Sequence, residues 1–310
     1  MRREIQHVYV LGLGAIGAKY ASMIYDVDPA CIHIIVDEER KERYQREGIF
    51  VNDRPYAFDY VTEPNKDYPA DLIILGVKSL DLELAIERLR PFVQEDTVII
   101  SLLNGIGTAA KINHQLGKDV ALPSVVYMDA VKVQNRVSYG HRGKVVFGET
   151  RNTSLSDRVK AVCSFFDKMH IDYVVPEDML LALWQKFLIN VVGNQLTFMV
   201  HTGYEGLQDN PYMLFLVQQV GEEVIRVANA QGIALSQADI DNMIATMRKI
   251  NPKAKTSMVQ DREQGRKSEV EIFAGEIIRQ GQKLGIPTPY NVMMYNLIKA
   301  YEWERDERKK

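Results

Sequence analysis

The chain has 310 residues, 46% apolar and 25% charged, enough for sizeable cores and a length that fits two domains better than one or three. With 38 Lys plus Arg against 41 Asp plus Glu, the formal net charge is -3, which excludes the broad electropositive field of a general nucleic-acid binder. Only Cys31 and Cys163 are present, so a cysteine zinc cluster is excluded, at most one disulfide could form, and a cytoplasmic location is expected.

The first apolar stretch, Val8 to Ile16, contains Gly12 and Gly14 and has no small-residue cleavage site behind it, so it reads as a strand and turn. His7–Leu11, Cys31–Val36, Asp71–Val77, Thr97–Leu103 and Val120–Tyr127 read as strands, with helical patterns between most of them. Runs such as Leu72-Ile73-Ile74-Leu75, apolar on both faces, predict a parallel sheet covered on both sides. Alternating residues around Asn52-Asp53-Arg54-Pro55 predict a hairpin within Ile49–Val61, and a second is expected over Val131–Gly148. After Pro176 the period becomes helical, which places a boundary between domains 1–176 and 177–310. Helices are expected over Asp178–Val200, Pro211–Gln231, Ser236–Ile250, Ser257–Gln264, Ser268–Leu284 and Asn291–Glu307. The longest apolar run, Phe187–Val200, is cut by Asn190, Asn194, Gln195 and Thr197, so no membrane span is expected.

Gly12-Leu13-Gly14-Ala15-Ile16-Gly17 follows a strand and opens a helix. In that context Gly12 permits a tight turn, Gly14 lets backbone amides of the Ala15-Ile16 turn approach a pyrophosphate, and Gly17 lets the helix pack on the strand. The fold class expected is therefore α/β, a Rossmann-like dinucleotide-binding domain followed by an all-α domain. Asp37 ends the second strand twenty residues past Gly17, the position of a ribose-binding acid, although it could equally cap the helix that follows. A carboxylate there would repel a 2′-phosphate and favour NADH over NADPH, with Arg40 and Arg43 one turn on to soften the effect. Lys78 begins a helix, where a cation opposes the helix dipole and a cofactor contact would offset the cost. Asn104-Gly105 ends a strand and reads either as a turn pair or as a cofactor-binding amide.

Lys186, Asn190 and Asn194 recur every four residues on an otherwise apolar helix. Burying an unpaired amide costs about 1 to 3 kcal/mol, so these three should line a cleft and meet polar partners, unless Lys186 simply reaches solvent. Gly193 beside them indicates close packing. Ser257 and Glu269 each lie near an expected helix start, where a capping hydroxyl and a first-turn acid behind an N-cap Ser268 are the ordinary explanations.

Taken in order, the glycine turn, Val77-Lys78, Asn104-Gly105-Ile106-Gly107-Thr108, Leu183-Trp184-Gln185-Lys186 with Asn190 and Asn194, Ser257-Met258-Val259-Gln260-Asp261, Ser268-Glu269 and Gly285-Ile286-Pro287-Thr288-Pro289 make the chain resemble ketopantoate reductases. The resemblance spans almost the whole chain. It implies reduction of ketopantoate or another small 2-oxo acid by NAD(P)H, with Lys186 as general acid and Glu269 bonding the substrate hydroxyl and tuning Lys186. It further implies that Asn190 and Asn194 orient the substrate, Ser257 binds its carboxylate, and Lys78 and Asn104 hold the cofactor. Two positions depart from the family pattern: Asp37 stands where the NADPH-using family usually has Arg, and Tyr204 stands where it has Asn.

A paralogue acting on a different 2-oxo acid and a dinucleotide sensor without chemistry are the alternatives, the second opposed by the presence of Lys186 and Glu269. No metal is expected, because the six His residues show no ligand-like pairing. Met and Phe on the later helices could supply a homodimer face or merely core.

Overall fold

In the computed structural model, which describes residues 4–128 and 130–308, the chain divides into a unit running to Leu180 and another starting at Leu181. In the first, β1 (Val8–Leu11), α1 (Ala15–Val27), β2 (Ile32–Ile35) and α2 (Glu38–Glu47) are followed by three short strands, β3 (Ile49–Val51), β4 (Arg54–Tyr56) and β5 (Asp59–Val61). Next come β6 (Leu72–Leu75), α3 (Leu82–Leu89), β7 (Val98–Ser101), α4 (Thr108–Leu116), β8 (Ala121–Leu122) and β9 (Ser124–Tyr127). The remaining elements are β10 (Val131–Val133), β11 (Arg136–Ser138), β12 (Lys144–Phe147), α5 (Asp157–Lys168) and β13 (Tyr173–Val174).

The main sheet has the order β5-β2-β1-β6-β7-β8, every pairing parallel. Side chains alternate across it as the two-residue strand period requires. Val8, Val10, Ile32, Ile34, Leu72 and Ile74 meet Ala18, Ala21 and Ile24 of α1 on one face. Tyr9, Leu11, Ile73, Leu75 and Ile99 meet Ala85, Ile86 and Leu89 of α3 and Ile112 of α4 on the other. Each large buried side chain is worth roughly 1.5 to 3 kcal/mol.

Both expected hairpins are shorter than their sequence spans. Asn52 and Asp53, at φ 47° and 64°, form the two-residue turn between β3 and β4, but β5 leaves to extend the parallel sheet beside β2. The second hairpin stops at Ser138, and β11 lies parallel to β3, giving a separate sheet ordered β10-β11-β3-β4. Three of the four residues of β12 are buried, so it pairs where apolar surface is covered, antiparallel to β9 and parallel to β13.

From α6 (Met179–Ile189) onward the chain is helical: a π-helical turn (Asn190–Asn194), α7 (Gln195–Val200), α8 (Glu205–Gln208), α9 (Pro211–Asn229), α10 (Gln237–Met247), α11 (Ser257–Glu263), α12 (Ala274–Leu284) and α13 (Pro289–Glu307). Glu223 of α9 is fully buried and accepts from the Tyr290 and Asn291 amides at 2.8 and 3.0 Å, closing the start of α13 from a distant helix. The helix expected from Ser268 begins only at Ala274, after a 3₁₀ turn (Val270–Ile272) and Phe273 at φ −105°, ψ −91°. Ser268 is not its N-cap; the Ser268 amide donates instead to Glu302 Oε1 at 2.6 Å. Among the described residues no helix is long and apolar enough to cross a membrane.

Lys19 is fully buried on α1, donating to the His141 carbonyl at 3.2 Å, with its ammonium 4.7 Å from the centre of the Tyr139 ring. Burial pushes it down to about 8 from an ordinary 10.5; Asp172 opposes the fall and Arg142 adds to it. The charged form is thus penalised by the fold, a cost in force below about pH 8 and relieved as pH rises toward 10.5. Lys19→Met is expected to be more stable than the parent by about 1 to 2 kcal/mol at neutral pH in urea unfolding, with the gain shrinking toward pH 10. A gain independent of pH would show that the buried charge is not its source.

Candidate active site

At the end of β1 the backbone turns at Gly12, φ +100°, where a Cβ would lie 2.7 Å from the Gly76 carbonyl carbon. A Cβ on Gly17 would lie 1.9 Å from the Gly12 oxygen, so the α1 backbone rests directly on the turn. Gly14 is the N-cap of α1 and offers no side-chain acceptor, and the first turn, with Ala15, Ile16 and Gly17, holds no acidic residue. The amide-rich, positive end of the helix is therefore presented at the carboxyl edge of the sheet.

Asp37 follows β2 and does cap α2: Oδ1 accepts from the Arg40 amide at 2.7 Å, while Oδ2 accepts from Arg88 Nη1 at 3.0 Å. Burial works to raise its pKa, but the Arg40 amide and the Arg88 guanidinium outweigh it and hold the carboxyl below its usual value. Lys78 lies just beyond β6, exposed at the head of a 3₁₀ turn (Ser79–Asp81). Asn104 lies beyond β7, in the turn leading through Gly107, φ 80°, into α4. Because β2, β1, β6 and β7 are successive neighbours, Asp37, the glycine turn, Lys78 and Asn104 leave the same edge from adjacent strands. The chain switches direction at β1, which is where open parallel sheets form a ligand crevice.

Lys132 of β10 hydrogen-bonds the Leu13 carbonyl inside the glycine turn. Burial lowers its pKa, and Arg43 and Arg40 lower it further. Nothing local marks this lysine in the sequence, where Val131-Lys132-Val133 reads as an ordinary strand.

In the helical unit the expected continuous helix is interrupted at the residues that carry its polar face. Asn190 to Asn194 form the π-helical turn, with Asn190 3% and Asn194 7% exposed. Asn194 Nδ2 donates to Ser257 Oγ at 3.3 Å and lies 3.5 Å from Asn190 Oδ1, so these three residues are brought together. Half-buried Lys186 lies on the same helix one turn earlier. A Cβ on Gly193 would stand 2.7 Å from Met247 Cε, which accounts for the glycine: α10 packs against this turn. Ser257 is the first residue of α11, behind Thr256 as N-cap. Thr256 Oγ1 shares a 2.8 Å hydrogen bond with Thr197 Oγ1, which also donates to the Gly193 carbonyl at 2.7 Å. Glu269 is half-buried on the segment between α11 and the Val270–Ile272 turn. Tyr204 is half-buried at the head of α8, its amide bonded to the Ala254 carbonyl at 3.0 Å. Two amides, a hydroxyl and an ammonium on adjoining turns can bind a small polar molecule and deliver a proton. Among the described residues no group of three His, Cys, Asp or Glu could hold a metal ion.

The model of the ketopantoate reductase PanE/ApbA family matches residues 8–152, and that of its C-terminal part matches residues 178–302. The 2-dehydropantoate 2-reductase of Pyrococcus horikoshii is 26% identical over 302 residues, covering 95% of this chain and 97% of the relative. A dimeric ketopantoate reductase from Staphylococcus aureus superimposes with a TM-score of 0.78 at 23% identity, covering 96% of this chain and 99% of that one. D-mandelate dehydrogenase in complex with NADH gives 0.84 at 21% identity, with coverage of 96% and 99%. Gly17→Ala is expected to destabilise the protein by at least about 2 kcal/mol in urea unfolding, since both clashing groups are backbone; an unchanged midpoint would mean that the turn relaxes freely.

Proposed function

The chain belongs to the ketopantoate reductase family, and on that premise we propose that it reduces ketopantoate to pantoate in the cytoplasm, on the route to pantothenate and coenzyme A. The observation that carries this reading is the cluster of Asn190, Asn194 and Ser257 on the turns next to Lys186, in a helix otherwise built for burial. Residues 1–176 would bind the dinucleotide and residues 177–310 the substrate. The fit to a dinucleotide is supported by the glycine cradle, whose space any Cβ would fill, and by the uncapped start of α1.

When bound, the reduced nicotinamide supplies a hydride to the C2 carbonyl. Lys186 gives a proton to the 2-oxo oxygen, whose developing negative charge needs a nearby donor. Glu269 accepts a hydrogen bond from the substrate hydroxyl and tunes Lys186. Asn190 and Asn194 orient the substrate through their amides, and the Ser257 hydroxyl donates to its carboxylate. Amides of the glycine turn would hold the pyrophosphate, and Lys78 and Asn104 would hold the cofactor. Asp37, ionised and still able to accept from a ribose hydroxyl, favours NADH because a 2′-phosphate would face its charge. A row of exposed apolar residues on α13, Val292, Met293, Leu297 and Trp303, supports a homodimer, as described for the relative from Staphylococcus aureus.

Tyr204 favours a second reading, reduction of a different 2-oxo acid: a phenol where the family has an amide alters both the size and the hydrogen bonding of a pocket. Initial rates over a panel of 2-oxo acids separate the two, and absence of turnover above background with ketopantoate removes the first. Lys186→Ala is expected to lower kcat by about 100-fold or more; unchanged turnover would show that another group is the acid. We expect kcat/KM to be higher with NADH than with NADPH, and parity or the reverse would defeat the role given to Asp37.

A further inference from the structure

Gln195, the first residue of α7, is fully buried and uses both ends of its amide. Its own backbone N–H bonds the Val192 carbonyl, not the Val191 carbonyl that an α-helix would assign to it. The side chain bonds that carbonyl instead: Nε2 donates to Val191 O at 2.6 Å. At the other end, Oε1 accepts from the Ala274 amide at 3.1 Å. Ala274 opens α12 directly after the segment that carries Glu269, and its amide belongs to the first turn of a helix, where no intrahelical acceptor exists. One side chain thus joins the turn bearing Asn190 and Asn194 to the stretch bearing Glu269.

We propose that Gln195 is a positioning residue for the 2-oxo acid reduction, holding the wide turn open and fixing its register against the Glu269 segment. The inference rests on the reductase reading above. The chemistry demands glutamine: asparagine is too short to span both partners, glutamate lacks the donor, and methionine, of similar length, lacks both groups. The Thr197–Thr256 hydrogen bond, beside Ser257, is a second tie next to the same turn, so loss of Gln195 leaves one in place.

The test compares the whole protein with Gln195→Met and Gln195→Glu, using kcat, affinity for NADH by fluorescence titration, thermal unfolding, and amide hydrogen exchange of residues 190–194. Gln195→Met is expected to lower kcat by about 10- to 100-fold, as small misplacements of positioning groups do, with NADH affinity unchanged. In Gln195→Glu the acceptor remains and protonation restores a donor, so its activity relative to wild type should recover as pH falls from about 8 to about 5. Exchange at 190–194 should rise at least about tenfold in the methionine variant. A methionine variant with a lower melting temperature but wild-type kcat at 25 °C, or a glutamate variant whose relative activity is flat with pH, overturns the proposal. If the methionine variant does not fold, the pH dependence of the glutamate variant decides. Wild-type protein without turnover on any 2-oxo acid refutes the parent reading instead, and the exchange measurement then decides alone whether Gln195 braces the turn, unchanged exchange refuting it.

Discussion

The approach of Gly17 to the Gly12 carbonyl, with the Gly76 backbone on the far side of the turn, is the contact from which the first unit is arranged. Three main-chain segments share space that a single methyl group would claim. Because they do, α1 starts directly above the end of β1 and points its positive end over the sheet edge. The parallel register of β2, β1, β6 and β7 then places Asp37, Lys78 and Asn104 along that edge without further adjustment. Apolar burial on both faces of the sheet holds the register, since a one-residue slip would exchange the two sets of side chains.

The helical unit answers a different problem, that of keeping amides and hydroxyls inside an apolar helix. On the widened turn Asn194 reaches both Asn190 and Ser257, and nearby side chains bond backbone carbonyls of the same turn. Gln195 and Thr197 supply such bonds, to Val191 and Gly193 respectively, so polar residues that interrupt the apolar run tie down its backbone. Gly193 completes the arrangement by admitting Met247 against the turn.

Period and composition carry far here: the parallel strands, the change to helix after Pro176 and the glycine turn are all readable from residue spacing, because each rests on local geometry or on which face is apolar. The grouping of Asn190 and Asn194 is readable for the same reason. Their wide turn is not, since what packs against it includes Met247, far along the chain. Ser268 shows the limit from the other side. Its position suggests a cap, but the carboxylate of Glu302, brought in by α13, takes its amide, and the helix waits until Gln195 offers an acceptor to Ala274. The β12 strand was equally illegible as to partner, because burial against β9 outweighs proximity to β11.

The bond from Lys132 to the Leu13 carbonyl bridges 119 residues. Loop closure over such a distance carries an entropic cost that neighbouring contacts do not, which the packing of the rest of the unit offsets. During synthesis the glycine turn leaves the ribosome well before the strand that secures it. A nascent chain that ends before Lys132 therefore carries the glycine turn without its clasp.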